Sequence, residues 1–271
     1  VRITTPKLTG PELAWAPFKG WSVLFDTDLG PHQRQQGGAE QPEPLELLEL
    51  PGKLIAGHDL YRTLSVWSFD LAGRQQQSAG YLPLPPSSYH VTVCDGLSDA
   101  QLNEAQGPAR QRIAQMLESL PGAVLDPTSL VPSAAAALAQ LIERATSPID
   151  LRFAGIESRG HALVAGLEPA QHSRSAYSMI VEARDALLST LGAEFGIDLT
   201  SPWRPHVSVG YWANQEVADE HEELVAAGAR TVIESAPNAG VRVGRASVHA
   251  FDDMETYWRA GTRSISVQRR A

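Results

Sequence analysis

Two short segments of this chain carry the same residue types in the same order: Tyr89-His90-Val91-Thr92-Val93 and Pro205-His206-Val207-Ser208-Val209. Each offers an imidazole and, two residues on, a hydroxyl, with valines between and after. On a β-strand alternate side chains face opposite ways, so His90 and Thr92 share one face while Val91 and Val93 share the other. The same parity puts His206 with Ser208. If the two strands lie side by side, two imidazoles and two hydroxyls converge on one groove. That set suits proton transfer at a phosphate. An unperturbed imidazole pKa of about 6.5 lets one ring be neutral and the other protonated near neutral pH. One ring can take a proton from an attacking water while the other gives one to the leaving oxygen. Thr92 and Ser208 can donate hydrogen bonds to the non-bridging oxygens as charge builds. Which histidine is acid and which is base depends on how the substrate is oriented.

Eight histidines give the pattern eight chances to occur. At ordinary residue frequencies an apolar–hydroxyl–apolar sequel follows a given histidine about one time in seventy, so two matches arise by chance in under about one chain in a hundred. No metal or other cofactor is expected, because a zinc site wants three or four ligands and neither motif has a second His, Cys or carboxylate at ligand spacing. Arg204 shares the His206 side by parity, if the strand reaches back that far, and is a candidate phosphate contact. Trp212 returns to the same side and is the candidate platform for stacking a nucleobase, a contact worth about 1–3 kcal/mol. Tyr89 and Tyr211 flank the motifs as further candidate substrate contacts, although parity puts Tyr211 on the opposite face with Trp203 and Pro205. His58, His161, His172 and His221 read as ordinary turn or helix residues, and His249 as part of an exposed strand face with Arg245 and Ser247.

The paired motifs resemble the signature of the two-histidine (2H) phosphoesterase superfamily, whose members carry one His-x-Thr/Ser motif in each of two pseudo-symmetric lobes. The proline before His206 and the apolar residue after each hydroxyl fit that pattern. Leu84 to Gly96, with the early Phe25-Asp26-Thr27-Asp28, is similar to a bacterial and fungal branch related to the RNA 2′,3′-cyclic phosphodiesterases. The resemblance implies a phosphodiesterase acting on a cyclic phosphate of a nucleotide or oligonucleotide end, with His90, His206, Thr92 and Ser208 as its working residues. Its density is confined to the motifs, which lie 116 residues apart, farther than in the compact RNA-acting members. A nucleotide-binding module without turnover, a partner-binding protein in which the histidines are incidental, and a ligase or transferase using the same site are the alternatives.

The bulk properties are compatible with that reading. A net charge of −9 and a pI near 5.4 argue against a long nucleic-acid surface, but not against a small phosphorylated ligand in a locally basic cleft. No run approaches the ~20 apolar residues of a membrane span. Cys94 is the only cysteine; it could be a nucleophile by position, but a free cysteine is more often a small buried residue. With no internal disulfide to form, a reducing, cytoplasmic setting is expected. The chain begins at Val1, without Met or an apolar signal core, which reads as a processed or trimmed chain.

The elements that must hold the motifs can be read from periodicity. Trp21–Phe25 and Leu64–Leu71 are expected strands, separated by an exposed Gln-, Gly- and Pro-rich loop near 31–44. A second such loop near 73–88 leads into the first motif strand. Helical spacing follows at Ala109–Leu120 and Leu138–Ala145. Strands at Ile149–Ile156 and Ala162–Leu167 come next, joined by a turn at 158–160. A helix over Ala176–Leu191 ends before Gly196, and the second motif strand begins at His206. A charged helix covers Gln215–Ala227, and terminal strands run over Val241–Phe251 and Arg263–Val267. The whole, residues 1–271, is expected to be one bilobed α+β domain. Two pseudo-symmetric antiparallel sheets face each other across a central cleft, with helices outside.

Overall fold

The structure, a computed structural model, describes residues 1–25, 58–74, 80–122, 130–236, 239–255 and 257–259. The expected loop at 31–44 and the strand at 263–267 lie outside them. The fold is α+β, with two main antiparallel sheets. The strands are β1 Leu8–Thr9, β2 Ala14–Trp15, β3 Gly20–Phe25, β4 Tyr81–Pro83, β5 Thr92–Ser98, β6 Ile149–Arg159, β7 Ala162–Pro169, β8 His206–Trp212, β9 Gly240–Val243, β10 Ala246–Phe251 and β11 Tyr257–Arg259. One sheet has the order β11-β10-β3-β5 and the other β4-β8-β7-β6-β9, while β1 and β2 form a separate ribbon. The helices are α1 His58–Arg74, α2 Asp99–Glu104, α3 Gly107–Ser119, α4 Ala135–Arg144, α5 Arg174–Phe195, α6 Gln215–Glu220 and α7 Glu222–Ser235. Among the described residues no helix is long and apolar enough to cross a membrane.

Each motif strand has its own sheet, β5 in the first and β8 in the second. Val91 and Val207 join the sheets through an isolated antiparallel bridge. Both valines are fully buried, and with Val93, Val209, Trp21 and Trp212 they belong to one continuous core. Burying such side chains contributes about 1.5–3 kcal/mol each, which is what holds the motif strands in this register. The chain entering β8 is pinned to the first motif as well, because the Trp203 indole donates to the Thr92 carbonyl at 2.9 Å.

Local signals set several boundaries. Ser98 and Gln101 form a reciprocal capping box that ends β5 and starts α2. Helix α5 stops at Gly196, whose φ of 64° gives the left-handed cap that favours glycine.

Three segments differ from their sequence reading. Leu64–Leu71 is helical, inside α1, because Leu60, Leu64 and Leu71 fall on one buried helical stripe. The segment 73–88 is not a continuous loop, since it contains β4 and a 3-10 turn at Pro86–Ser88. The expected strand Val241–Phe251 is two strands in different sheets, broken at Gly244-Arg245, where Arg245 has a φ of 58°.

Candidate active site

The Val91–Val207 bridge fixes the geometry of the four motif residues. In an antiparallel pair with Val91 opposite Val207, His90 lies opposite Ser208, and Thr92 opposite His206. All four point away from the buried valine face and are half-buried. Opposite residues in such a pair have Cβ atoms about 4.5–5.5 Å apart, and diagonal neighbours about 7–8 Å. The imidazoles therefore occupy one diagonal of a four-cornered site and the hydroxyls the other.

The two imidazoles are held alike. His90 Nδ1 lies 2.7 Å from the Ser88 carbonyl oxygen, and His206 Nδ1 lies 2.9 Å from that of Arg204. Each carbonyl lies two residues upstream, and a carbonyl can only accept. Nδ1 therefore carries the hydrogen in both rings, and Nε2 is the atom that exchanges protons.

Both motif strands also carry a β-bulge at the same place. Thr92 pairs with Leu24 and Cys94 with Val23, so Val93 is an extra residue. Ser208 pairs with Val164 and Gly210 with Leu163, so Val209 is its counterpart. A bulge reverses the facing of every later side chain. Asp95 and Tyr211, each three residues past its hydroxyl, thereby join the motif face. Trp212 goes to the core. It is fully buried, donates to Ser158 Oγ at 3.0 Å, and packs on Tyr81 and His221 with ring centroids 4.7 and 5.3 Å away. The expected stacking platform is thus a core residue, and Tyr211, assigned by parity to the other face, stands on the site side.

Tyr89 is corrected in the same way: it is fully buried, edge-on to Tyr61 at 5.9 Å. Arg204 precedes β8 and is exposed, and it reaches the site through its backbone carbonyl. His249 is not on an exposed face. It is buried on β10, in register with Ser22, which is in turn in register with Asp95 on the motif side of the sheet. Cys94 is buried, and burial pushes its thiol up to about 12, with Arg184 pulling the other way. It is no thiolate near neutral pH.

Three groups at the site had no local signal in the sequence. Arg159 Nη1 donates to the Arg204 carbonyl at 3.0 Å and lies 3.2 Å from His206 Nδ1, while Glu157 holds the guanidinium at 2.6 Å. Lys7 donates to the Tyr211 hydroxyl at 3.0 Å from the N-terminal segment. Tyr257 stands edge-on to the His90 ring at 4.9 Å. Lys7 and the Arg159–Glu157 pair both stand on the His206 side. Burial holds His206 below the usual histidine range; the Arg204 carbonyl opposes this, Arg159 adds to it, Asp95 opposes it and Lys7 adds to it. Among the described residues no group of three or more His, Cys, Asp or Glu could hold a metal ion.

The family model of the 2′-5′ RNA ligase superfamily matches residues 90–253, from the first motif histidine through the second and beyond. The chain belongs to that superfamily. This is the family of two-histidine phosphoesterases that the motifs resemble. A search of curated proteins finds no match. Among solved structures, a conserved protein of unknown function from Agrobacterium tumefaciens strain C58 is 13% identical, with a TM-score of 0.49 over 93% of this chain and 90% of its own. Usb1 of Kluyveromyces marxianus, solved with uridine monophosphate, is also 13% identical, with a TM-score of 0.35 over 89% of this chain and 96% of its own. At these scores neither likeness carries weight for the site; membership of the superfamily rests on the match over 90–253.

Proposed function

We propose that this protein hydrolyses a cyclic phosphodiester in a nucleotide or an oligonucleotide end, with His206 as general base and His90 as general acid. The observation that carries the reading is the Val91–Val207 bridge, which sets imidazoles and hydroxyls on opposite diagonals of one site. A phosphate at the centre meets all four groups. Water attacks phosphorus as its proton passes to His206 Nε2, and the bond to the ring oxygen breaks as that oxygen takes a proton from His90 Nε2. Thr92 and Ser208 donate to the non-bridging oxygens, where charge accumulates in the pentacovalent state. The Ser88 carbonyl holds the His90 ring by Nδ1, so Nε2 is the nitrogen that faces the leaving oxygen.

The division of labour follows from the surroundings. Burial, together with the cations of Arg159 and Lys7, favours neutral His206, as a base requires. The rate should therefore rise with pH through the His206 titration, and that limb should lie below the usual histidine range. In Arg159→Ala one of the groups that lowers the His206 pKa is gone, so the acid limb of kcat/KM is expected to move to higher pH. A pH–rate profile of variant and wild type measures it, and an unmoved limb would remove Arg159 from this role.

Thr92→Val and Ser208→Ala are each expected to lower kcat by roughly 10²-fold with little change in KM, since their hydrogen bonds strengthen as charge develops. Steady-state kinetics on the same ester checks both. The function itself is tested by offering 2′,3′-cyclic and 3′,5′-cyclic nucleotides, cyclic dinucleotides and ADP-ribose-type phosphates to wild type and to the His90→Ala/His206→Ala double variant, with chelator present. Hydrolysis by wild type alone supports the reading. Equal rates in the two proteins, or loss of the wild-type rate on adding chelator, would overturn it.

A further inference from the structure

In the row of the sheet that holds His206, the neighbouring strands raise no side chain of their own; the Arg159–Glu157 pair reaches over Gly166, and the space above Gly155 is open. His206 on β8 is in register with Gly166 on β7, and Gly166 with Gly155 on β6, so one row across three strands is an imidazole followed by two glycines. Residues in register share a face, so neither glycine raises a side chain beside the histidine. Gly155 follows the bulged residue Ala154 and has a φ of 144°, a backbone conformation that L side chains rarely adopt.

Over this floor lies a cavity of about 480 Å³, a size that suits a nucleotide-scale ligand. Arg159, Glu157, Trp203 and Arg204 line it, with Trp203 stacked on Tyr177 at 4.8 Å. Arg159 spans from the catalytic centre to the floor. One terminal nitrogen is 3.2 Å from His206 Nδ1, and the other is 3.6 Å from where a Cβ on Gly166 would sit. Two guanidiniums (Arg159, Arg204) and two carboxylates (Glu157, Glu168) line the space, so it offers no net charge to attract a second phosphate. An uncharged, planar group rich in donors and acceptors matches it better.

We infer that this cavity is the nucleoside subsite of the centre, taking a nucleobase flat on the Gly155–Gly166 floor beside the Arg159 guanidinium. The inference rests on the phosphoesterase reading and adds to it where the non-reacting part of the substrate goes. A base laid on peptide planes and against a guanidinium is bound by its π-face, so the subsite tolerates more than one base. The phosphate attached to it then falls between His206 and His90.

The test compares two cyclic esters, adenosine 2′,3′-cyclic phosphate and ethylene glycol cyclic phosphate, which share the ring but not the nucleoside. In Gly166→Leu the new side chain rises from the floor. In Ala154→Trp an exposed lip residue is enlarged without touching the core, which guards against a variant that fails to fold. For each, the ratio of kcat/KM for the adenosine ester to that for the bare ester is expected to fall about tenfold or more, the scale of a lost base-stacking contact. Effects on the chemistry cancel in the ratio. An unchanged ratio in a folded variant, with wild type active on both esters, would overturn the subsite and leave the phosphoesterase reading standing. If wild type splits neither ester, the phosphoesterase reading falls and titration with adenosine 3′-monophosphate decides the cavity. Binding weakened about tenfold by Ala154→Trp would sustain it, and unchanged binding would overturn it.

Discussion

His206→Ala and His90→Ala should each lower kcat on a cyclic phosphodiester by about 10³-fold while leaving KM within a few-fold, because a positioned acid or base acts in the transition state. The two losses should not multiply. Once either proton transfer is missing the concerted path is gone, so the double variant should be about as slow as the worse single one. The variants differ in what they do to pH dependence. Removing the base abolishes the acid limb of kcat/KM, whereas removing the acid leaves that limb in place. Each histidine spends one hydrogen bond on a backbone carbonyl, so its loss should change stability by only about 1 kcal/mol, and a denaturant titration separates that from the kinetic effect. If either alanine variant retains more than about a third of the wild-type kcat, two-imidazole catalysis is refuted.

Trp212→Ala is expected to destabilise the protein by about 3–5 kcal/mol, as large-to-small changes at fully buried aromatic positions do. The indole fills core between Tyr81 and His221 and satisfies Ser158 Oγ, so the variant loses packing, a hydrogen bond and the register of the end of β8 together. Urea unfolding reads this directly. A nucleobase platform would give the opposite result, a raised KM with unchanged stability. That pattern in Trp212→Ala would contradict the bulged register of β8.

The contrast between these two sets of residues shows what the sequence could carry. The period of two around His90 and His206 is local, so the shared face of each histidine and its hydroxyl could be read directly. The bulges could not be. Val93 and Val209 are ordinary strand residues, and only their pairing with Leu24/Val23 and Val164/Leu163 marks them as extra. Counting parity past them assigns Tyr211 and Trp212 to the wrong sides. Helix α1 was hidden for another reason: its exposed Val66 and Phe69 give Leu64–Leu71 the density of a buried strand, and the decisive residue, Leu60, lies outside that window. Lys7, Arg159 and Tyr257 reach the site from three distant elements, and no spacing within a single segment announces that. The helices over 107–119 and 174–195 were legible because each shows a sustained apolar stripe ending at a clear stop.

The single bridge at Val91–Val207 has a mechanical consequence. The joint around it is braced: the Trp203 indole donates to the Thr92 carbonyl and stands 6.3 Å from the Phe25 ring, and valines and tryptophans of both sheets share one core. A joint clamped by close packing resists rocking of one sheet against the other. The four reacting residues lie one position from the bridge, where any residual tilt displaces the backbone least.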